Sequence, residues 1–497
     1  MHISSLLLLT LASGAIGSPV ASENNNVLRL PIMRKQRTTD MLTTRRQRNL
    51  QKRDPFQTSL YNDEGSQYLV QVGIGTPSQD FIVTLDTGSA DLWVPSTQCP
   101  TSQCPYSRFD TNQSSTFKST GQTFGIQYGI GSVNGTYVTD TVTVANATVQ
   151  NQQFGLATAT HDILTTTTVG GTGSDTPSVN TSSSSSGSLV ANGILGLGYP
   201  KLTAGTNSGE AAYNPFVFNL VSQKVIQQPI FSVYMNDADE QGWVGEVIFG
   251  GTDSSRYTGD IQYLPVAQLQ VSSSPLDQLL GSSSSSNAGY YYWMVYGQGV
   301  QVIGGSGSSN GTNIQLSSVA PFIIDTGTTL TYLPTSYAVK VAEAIAGSNV
   351  MLDTESSAFI VDCSVADTST SFEIQMSQSS SISDSPVTLR VPISELVIPL
   401  DALTVSQATQ CMLGIAPMSS SGSSVSDMFL IGDSVLRSAY LVFDMGENRI
   451  GFAAANNVGG SVNGVGSTST SDAAPAPSKA KFVALVTAAV AAIMFSM

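Results

Sequence analysis

Histidine is almost missing from this chain. Its 497 residues hold two, His2 and His161. That scarcity removes the usual imidazole-ligated metal centres and leaves a Ser-His-Asp triad a single candidate, His161, in a polar Ser/Thr-rich stretch. Cysteine is scarce too: Cys99, Cys104, Cys363 and Cys411. The even count favours two disulfides in an exported chain and leaves a cysteine nucleophile without a free thiol. Three pairings are possible; local pairing is preferred because one pair then falls in each half. Cys99 and Cys104 as half of a zinc site lack the histidines to complete it. Charged residues make up only 11 %, and helical heptads are hard to find. Short apolar stretches with Gly, Ser and Thr between them read as an all-β, extracellular protein. No metal or cofactor is expected.

The chain is too long for one ordinary core, so two lobes with processed ends are expected. Its net charge of −15 is unevenly spread. Residues 19–53 carry nine basic residues and two acidic ones, and their loss deepens the net charge to −22. An acidic body with a detachable basic arm is not a nucleic-acid binder. Its self-repulsion fades as pH falls into the carboxylate range, which suits work in acid.

Both ends read as processing signals. The apolar run 3–16, followed by small residues, is a secretory signal peptide over 1–18, although no basic residue but His2 precedes it. Residues 19–53 read as a basic propeptide cut after Lys52-Arg53. The last run, 482–497, is sixteen residues, short of the roughly 20 that span a bilayer. A Ser/Gly/Ala-rich linker, 456–481, precedes it. This layout is that of a glycolipid (GPI) anchor signal, with Asn463, Gly466, Ser469 and Ser471 small enough for attachment. Sequons at Asn112, Asn134, Asn146, Asn180 and Asn310 suit an exported, glycosylated surface.

Between the ends, strands are expected at Tyr68–Ile74, Phe81–Leu85, Thr136–Val144 and Phe231–Tyr234. Helices are expected at Pro215–Ser222 and Tyr337–Ala346. The Ser/Thr/Gly-rich stretches 160–188, 281–289 and 417–427 read as exposed loops without chemistry. A weak internal repeat stands out. Phe81-Ile-Val-Thr-Leu-Asp86-Thr-Gly-Ser89 returns as Pro321-Phe-Ile-Ile-Asp325-Thr-Gly-Thr328, 239 positions later. Each copy has a later apolar-apolar-Gly partner, Ile194-Leu195-Gly196 and Leu430-Ile431-Gly432. The economical division is an N-terminal lobe over 54–235 and a C-terminal lobe over 236–455, each giving one carboxylate.

One Asp-Thr-Gly is an ordinary turn. Two, each ending an apolar run, bury two carboxylates at a cost that pairing and hydrogen bonding must offset. Carboxylates that meet share one proton, leaving one group as base and the other as acid. They can then activate a water between them against a peptide carbonyl, with no covalent nucleophile. Gly88 and Gly327 allow backbone N–H groups close to the carboxylates. Ser89 and Thr328 can bond their outer oxygens. Nothing marks sugar-stacking aromatics around the pair, as a glycosidase would require.

At this point residues 66–455 resemble a pepsin-like aspartic protease. SQYLVQVGIGTPSQDFIVTLDTGSADLWVPS (66–96) and FIIDTGTTLTYLP (322–334) resemble the two catalytic segments. FGIQYGIGS (124–132) resembles the flap hairpin. NGILGLGYP (192–200) and FLIGDSVLRSAYLVFDMGENRIGFA (429–453) resemble the segments behind the aspartates. The resemblance implies a bilobal fold with a deep cleft between related lobes, binding extended peptide and open to pepstatin-type inhibitors. Asp86 and Asp325 would be catalytic. Tyr128, Gly129, Ile130, Gly88, Gly327 and Thr328 would meet substrate, supported by Ser89, Trp93, Thr87 and Thr326. Trp93 would bond or pack behind the flap tyrosine Tyr128. The implied disulfides are Cys99–Cys104 and Cys363–Cys411. The propeptide would cover the cleft as an intramolecular inhibitor of a monomeric enzyme. The glycolipid tail and dibasic prosegment are similar to fungal yapsins, which anchor at the plasma membrane or cell wall. Many fungal members place an acidic residue where this chain has Ile130, so apolar P1 and P1′ side chains are expected rather than basic ones. A processing protease cutting at basic residues is the alternative. The intact Asp-Thr-Gly motifs and Tyr128 speak against an inactive binding homologue, and a structural wall glycoprotein leaves the paired aspartates unexplained.

Overall fold

The computed structural model describes residues 28–36, 66–128, 131–164, 190–208, 211–237, 242–270, 288–304, 312–353, 356–402, 404–418 and 428–466. The expectations for 1–18, Lys52, Arg53, Gly129, Ile130, Asn180, Asn310 and 482–497 lie outside those residues.

The first half runs through β1 (Leu28–Gln36), β2 (Ser66–Ile74), β3 (Gln79–Asp86), β4 (Leu92–Pro95), β5 (Lys118–Gln127), β6 (Ser132–Val144), β7 (Ala147–His161) and β8 (Ile194–Gly196). A short helix α1 (Phe216–Ser222) and β9 (Ile230–Tyr234) follow. All the strands and both helices expected from the sequence are present, within a few residues at their ends. His161, expected in a loop, closes β7 instead.

The second half opens with β10 (Gly242–Phe249), β11 (Tyr257–Pro265), β12 (Leu269–Gln270), β13 (Ala288–Gly289), β14 (Met294–Ile303), β15 (Thr312–Ile324) and β16 (Thr331–Pro334). Helix α2 (Thr335–Ala346) buries Ala338, Val341, Ala342 and Ile345, the spacing of one helical face, and stops at Gly347 with φ +69°. Then come β17 (Met351–Asp353), β18 (Ala358–Val361), β19 (Ser371–Ser377), β20 (Val387–Pro392), β21 (Val397–Pro399), β22 (Cys411–Leu413), β23 (Ile415–Met418) and β24 (Phe429–Ile431). A one-turn helix α3 (Asp433–Leu436) leads to β25 (Ala439–Asp444), β26 (Arg449–Ala455), β27 (Ser461–Val462) and β28 (Val465–Gly466).

A thirteen-stranded sheet runs β11-β26-β25-β9-β10-β1-β2-β3-β8-β4-β7-β6-β5. A nine-stranded sheet runs β23-β16-β24-β15-β14-β19-β20-β27-β28, and a four-stranded one β17-β18-β22-β21. The fold is all-β with two related halves, as expected. The expected boundary at 235/236 is not a border in space. It falls inside the β9–β10 hairpin, and β25 and β26 return from the end of the chain to pair beside β9. Backbone groups in the middle of a sheet need partners on both sides, whatever half of the chain supplies them. β1, from the expected propeptide, is one such partner, antiparallel to both β10 and β2.

The expected linker also begins too early. β27 pairs with β20, β27 and β28 form a hairpin, and Asn463 exchanges hydrogen bonds with Thr388. Asn463 and Gly466 therefore belong to the folded body, while Ser469 and Ser471 lie outside the described residues.

The repeat in sequence is a repeat in topology. β8 lies parallel to β3 and antiparallel to β4. β24 lies parallel to β15 and antiparallel to β16. Strands so enclosed are covered on both faces, which is why they read as unbroken apolar runs. Gly196 and Gly432 permit the crossing: a Cβ on the first would stand 2.5 Å from the Ala90 carbonyl carbon, and one on the second 2.3 Å from the Leu330 carbonyl oxygen. Trp293 links the halves. It packs against Phe231 and Phe443 and donates its ring N–H to the Leu197 carbonyl at 2.9 Å.

Candidate active site

Asp86 is the last residue of β3, and Asp325 directly follows β15. Both strands end in fully buried apolar residues, so each delivers its carboxyl into the interior; Asp86 is 3 % exposed and Asp325 not at all. The turn after each returns hydrogen bonds to it. The Gly88 N–H donates to Asp86 Oδ1 at 2.7 Å, and the Ser89 hydroxyl to Oδ2 at 2.5 Å. In the other copy the Gly327 N–H donates to Asp325 Oδ1 at 2.9 Å, and the Thr328 hydroxyl to Oδ2 at 2.7 Å.

The threonines of the two copies lock the halves together. Each backbone N–H donates to the other's hydroxyl, Thr87 to Thr326 at 3.2 Å and Thr326 to Thr87 at 3.0 Å. Each hydroxyl then donates to the carbonyl before the opposite aspartate, Thr87 to Ile324 at 2.8 Å and Thr326 to Leu85 at 3.3 Å. This reciprocal lattice is satisfied only when both copies are present.

The carboxyls meet. A Cβ on Gly88 would lie 2.5 Å from Asp325 Cγ, and one on Gly327 2.3 Å from Asp86 Oδ1. Each glycine thus makes room for the carboxyl of the opposite copy. Burial raises the pKa of both groups, and the charge of Asp86 raises that of Asp325 further. One proton shared between them follows.

Tyr128 is the residue expected to be the flap tyrosine. Tyr128 ends the β5 arm, and its N–H donates to the Gly131 carbonyl at 2.7 Å. Its hydroxyl accepts from the Trp93 ring N–H at 3.0 Å. Burial, then the charges of Asp86 and Asp91, hold the phenol well above its ordinary pKa, so it stays neutral. Of the remaining predicted residues, Cys99–Cys104 and Cys363–Cys411 are bonded, and no described cysteine is free. Asn112, Asn134 and Asn146 are exposed. His161 is exposed and its ring lies beside Asp162.

Sequence reasoning missed a second buried carboxylate in the same loop, Asp91, which is hydrogen-bonded to Tyr137 and Tyr213. The available signal was an acidic residue between Ala90 and Leu92 in an otherwise apolar stretch. It also missed Thr331, whose hydroxyl accepts from the Gly432 N–H at 3.1 Å and so ties the second Gly crossing to β16.

Comparison with known proteins follows the same lines. The family model described as eukaryotic aspartyl protease matches residues 67–455. Mucorpepsin of Rhizomucor pusillus is 32 % identical over 472 residues, covering 91 % of this chain and 97 % of its own. Human gastricsin is 32 % identical over 405 residues, covering 80 % and 84 %. Cathepsin E-B of Xenopus laevis is 30 % identical over 395 residues, covering 79 % and 81 %. With the paired aspartates and the duplicated crossing strands already in view, the chain belongs to the eukaryotic aspartyl proteases of pepsin type and is an aspartic endopeptidase.

Proposed function

We propose that this endopeptidase is made as a secreted zymogen, held at the cell surface by a glycolipid anchor, and cuts proteins and peptides at acid pH with Asp86 and Asp325 as its catalytic pair. The observation that carries the catalytic assignment is the approach of two buried carboxyls, the glycine of each copy lying against the carboxyl of the other, with both pKa values raised by burial.

Ionised Asp86 takes a proton from a water held between the carboxyls as that water attacks the scissile carbonyl. Protonated Asp325 hydrogen-bonds the developing oxyanion, and a proton then passes to the leaving nitrogen. Hydrogen bonds from Gly88, Ser89, Gly327 and Thr328 hold both carboxyls in place, so little reorganisation is needed as charge moves. Tyr128 and the hairpin carrying it lie against the substrate and shut out bulk water.

The basic stretch 19–53 supports the zymogen reading. If it leaves after cutting at Lys52-Arg53, β2 and β10 each lose a strand partner. Open edges in the middle of a sheet are costly, so another strand would have to take its place. The apolar Ile130 beside the flap tyrosine supports a preference for hydrophobic P1 and P1′ side chains. The run 482–497 and the sequons support export and anchoring.

The test is peptide hydrolysis at acid pH by the processed protein, with and without pepstatin, and with Asp86→Asn as control. Pepstatin-sensitive activity absent from the variant is expected; an inactive wild type would remove the reading. Cleavage-site profiling on a peptide library tests specificity, where a strong Lys/Arg preference would favour the processing-protease alternative. Release of the protein from cells by a phospholipase that cleaves glycolipid anchors tests the anchor.

A further inference from the structure

Asp91 is a buried carboxylate that the proton chemistry of the pair does not use. It lies five residues after Asp86, is 1 % exposed, and receives donors from three separate elements. Tyr137, on β6, donates its hydroxyl to Oδ1 at 2.7 Å. Tyr213, in the stretch leading into α1, donates to the same oxygen at 2.7 Å. The Ala204 N–H donates to Oδ2 at 2.9 Å. The Gly205 N–H closes the cluster by donating to the Tyr137 hydroxyl at 3.0 Å. The rings pack as they bond: Tyr137 stands edge-on to Phe124 at 5.2 Å and to Tyr213 at 5.6 Å. Trp93 and Tyr128 share that apolar cluster.

The cost of this arrangement asks for a purpose. The matching position in the second copy is Leu330, packed among apolar neighbours. The same loop geometry therefore stands without a carboxylate. A buried carboxylate is expensive to keep beside an apolar alternative of similar volume. In the first copy the loop packs against the hairpin that carries Tyr128. The loop grips that hairpin twice, near the tip through Trp93 and Tyr128 and at the arm through Asp91 and Tyr137. β5 and β6 are paired from Thr123↔Thr136 to Gln127↔Ser132, and β7 pairs with β6 from Tyr137↔Gly155 to Ser132↔His161, so the three strands move as one ribbon. The arm from Tyr137 to the tip is roughly 20 Å of strand, and a small tilt at its base is a larger displacement at Tyr128.

We propose that Asp91 is a positioning residue for peptide hydrolysis: by holding Tyr137 and Tyr213 on one carboxylate oxygen it sets the base of the flap hairpin and, through it, the place of Tyr128 beside the catalytic pair. This rests on the reading of Asp86 and Asp325 as the catalytic pair. Tyr213 is the outer pin. It is part-buried between exposed neighbours and fastens the 211–214 segment to the same hub.

The test uses the processed full-length enzyme with Tyr137→Phe, Tyr213→Phe, the double variant and Asp91→Asn. Each phenylalanine keeps the ring and removes only the hydroxyl. The measurements are kcat and KM on a long peptide, the Kd for pepstatin, and the thermal midpoint. Each single variant is expected to lower kcat/KM about tenfold, the worth of one hydrogen bond to a charged group. KM and the pepstatin Kd should rise together, while kcat falls less. The double variant should lose less than the product of the two, because both hydroxyls serve one oxygen. Unchanged kcat/KM and pepstatin Kd well below the thermal midpoint would overturn the proposal even if that midpoint fell, since the cluster would then support only the fold. Should Asp91→Asn fail to fold, the two phenylalanine variants decide. A wild type without pepstatin-sensitive activity would sink the reading of the catalytic pair itself, and this inference with it.

Discussion

The two Asp-Thr-Gly loops make a direct comparison, residue against residue. Asp86–Pro95 reads DTGSADLWVP and Asp325–Pro334 reads DTGTTLTYLP. Through the fourth residue they do the same things: a glycine N–H and a hydroxyl on each carboxyl, and a threonine reaching across to the other copy. From the sixth residue they part. Asp91 stands where the second loop has Leu330, and Trp93, which donates to Tyr128, where it has Tyr332. Proton chemistry needs two equivalent carboxyls, so that part is duplicated. Handling the substrate needs one flap, so its fastenings are built into one copy only.

The strongest way to break the comparison is to remove one carboxylate at a time. Asp86→Asn and Asp325→Asn are each expected to lower kcat by about 10⁴-fold or more, since base and acid are both required. A large residual activity in either would show that the copies are not partners. Stability should move the other way. Both folded-state pKa values are raised, so the folded protein holds protons that the unfolded chain has released. Their contribution is therefore favourable in acid and is lost as pH rises through the folded values. Thermal melts of Asp325→Asn should lie above wild type at neutral pH and converge with it near about pH 4. A variant less stable than wild type at pH 7 would contradict the burial-driven shift.

The glycines come next. Gly88→Ala and Gly327→Ala each drive a Cβ into the opposite carboxyl. About a hundredfold loss of kcat is expected from either, the effect of displacing a reacting group by roughly 1 Å. Equal losses would support the symmetry, and an unharmed variant would break it. The disulfides sharpen a contrast in stability. Cys363–Cys411 closes a separation of 48 residues and Cys99–Cys104 one of 5. Chain entropy assigns them about 4 and about 2 kcal/mol, measurable by denaturation of the paired Cys→Ala variants. Ser89→Ala and Thr328→Ala should have the smallest effects, about 1 kcal/mol or several-fold in kcat/KM each.

Much of this was legible beforehand, and the reasons differ by feature. The strand at Phe81–Leu85 and the helix at Tyr337–Ala346 follow from local pattern, and both are present. The hydroxyls at Ser89 and Thr328 lie three residues from their aspartates, so one turn brings them together. The lobe border at 235/236 did not survive, because β25 and β26 join β9 from more than two hundred residues away, and no local pattern announces a partner so distant. The linker expected from 456 failed for the same reason: β27 and β28 are too short to stand out, and pairing with β20 is what makes them strands. Asp91 looked like an ordinary polar residue because its partners, Tyr137 and Tyr213, are far off in the chain.

The sequence by itself determined that there are two carboxylates, each at the end of an apolar strand, with a glycine and a hydroxyl placed by the next turn. Those are short-range consequences of residue type and spacing. Only the tertiary structure decided that the carboxyls meet and so share a proton, and that one loop and not the other carries a polar hub beneath the flap. These depend on burial and on contacts between groups that the chain holds far apart until it folds.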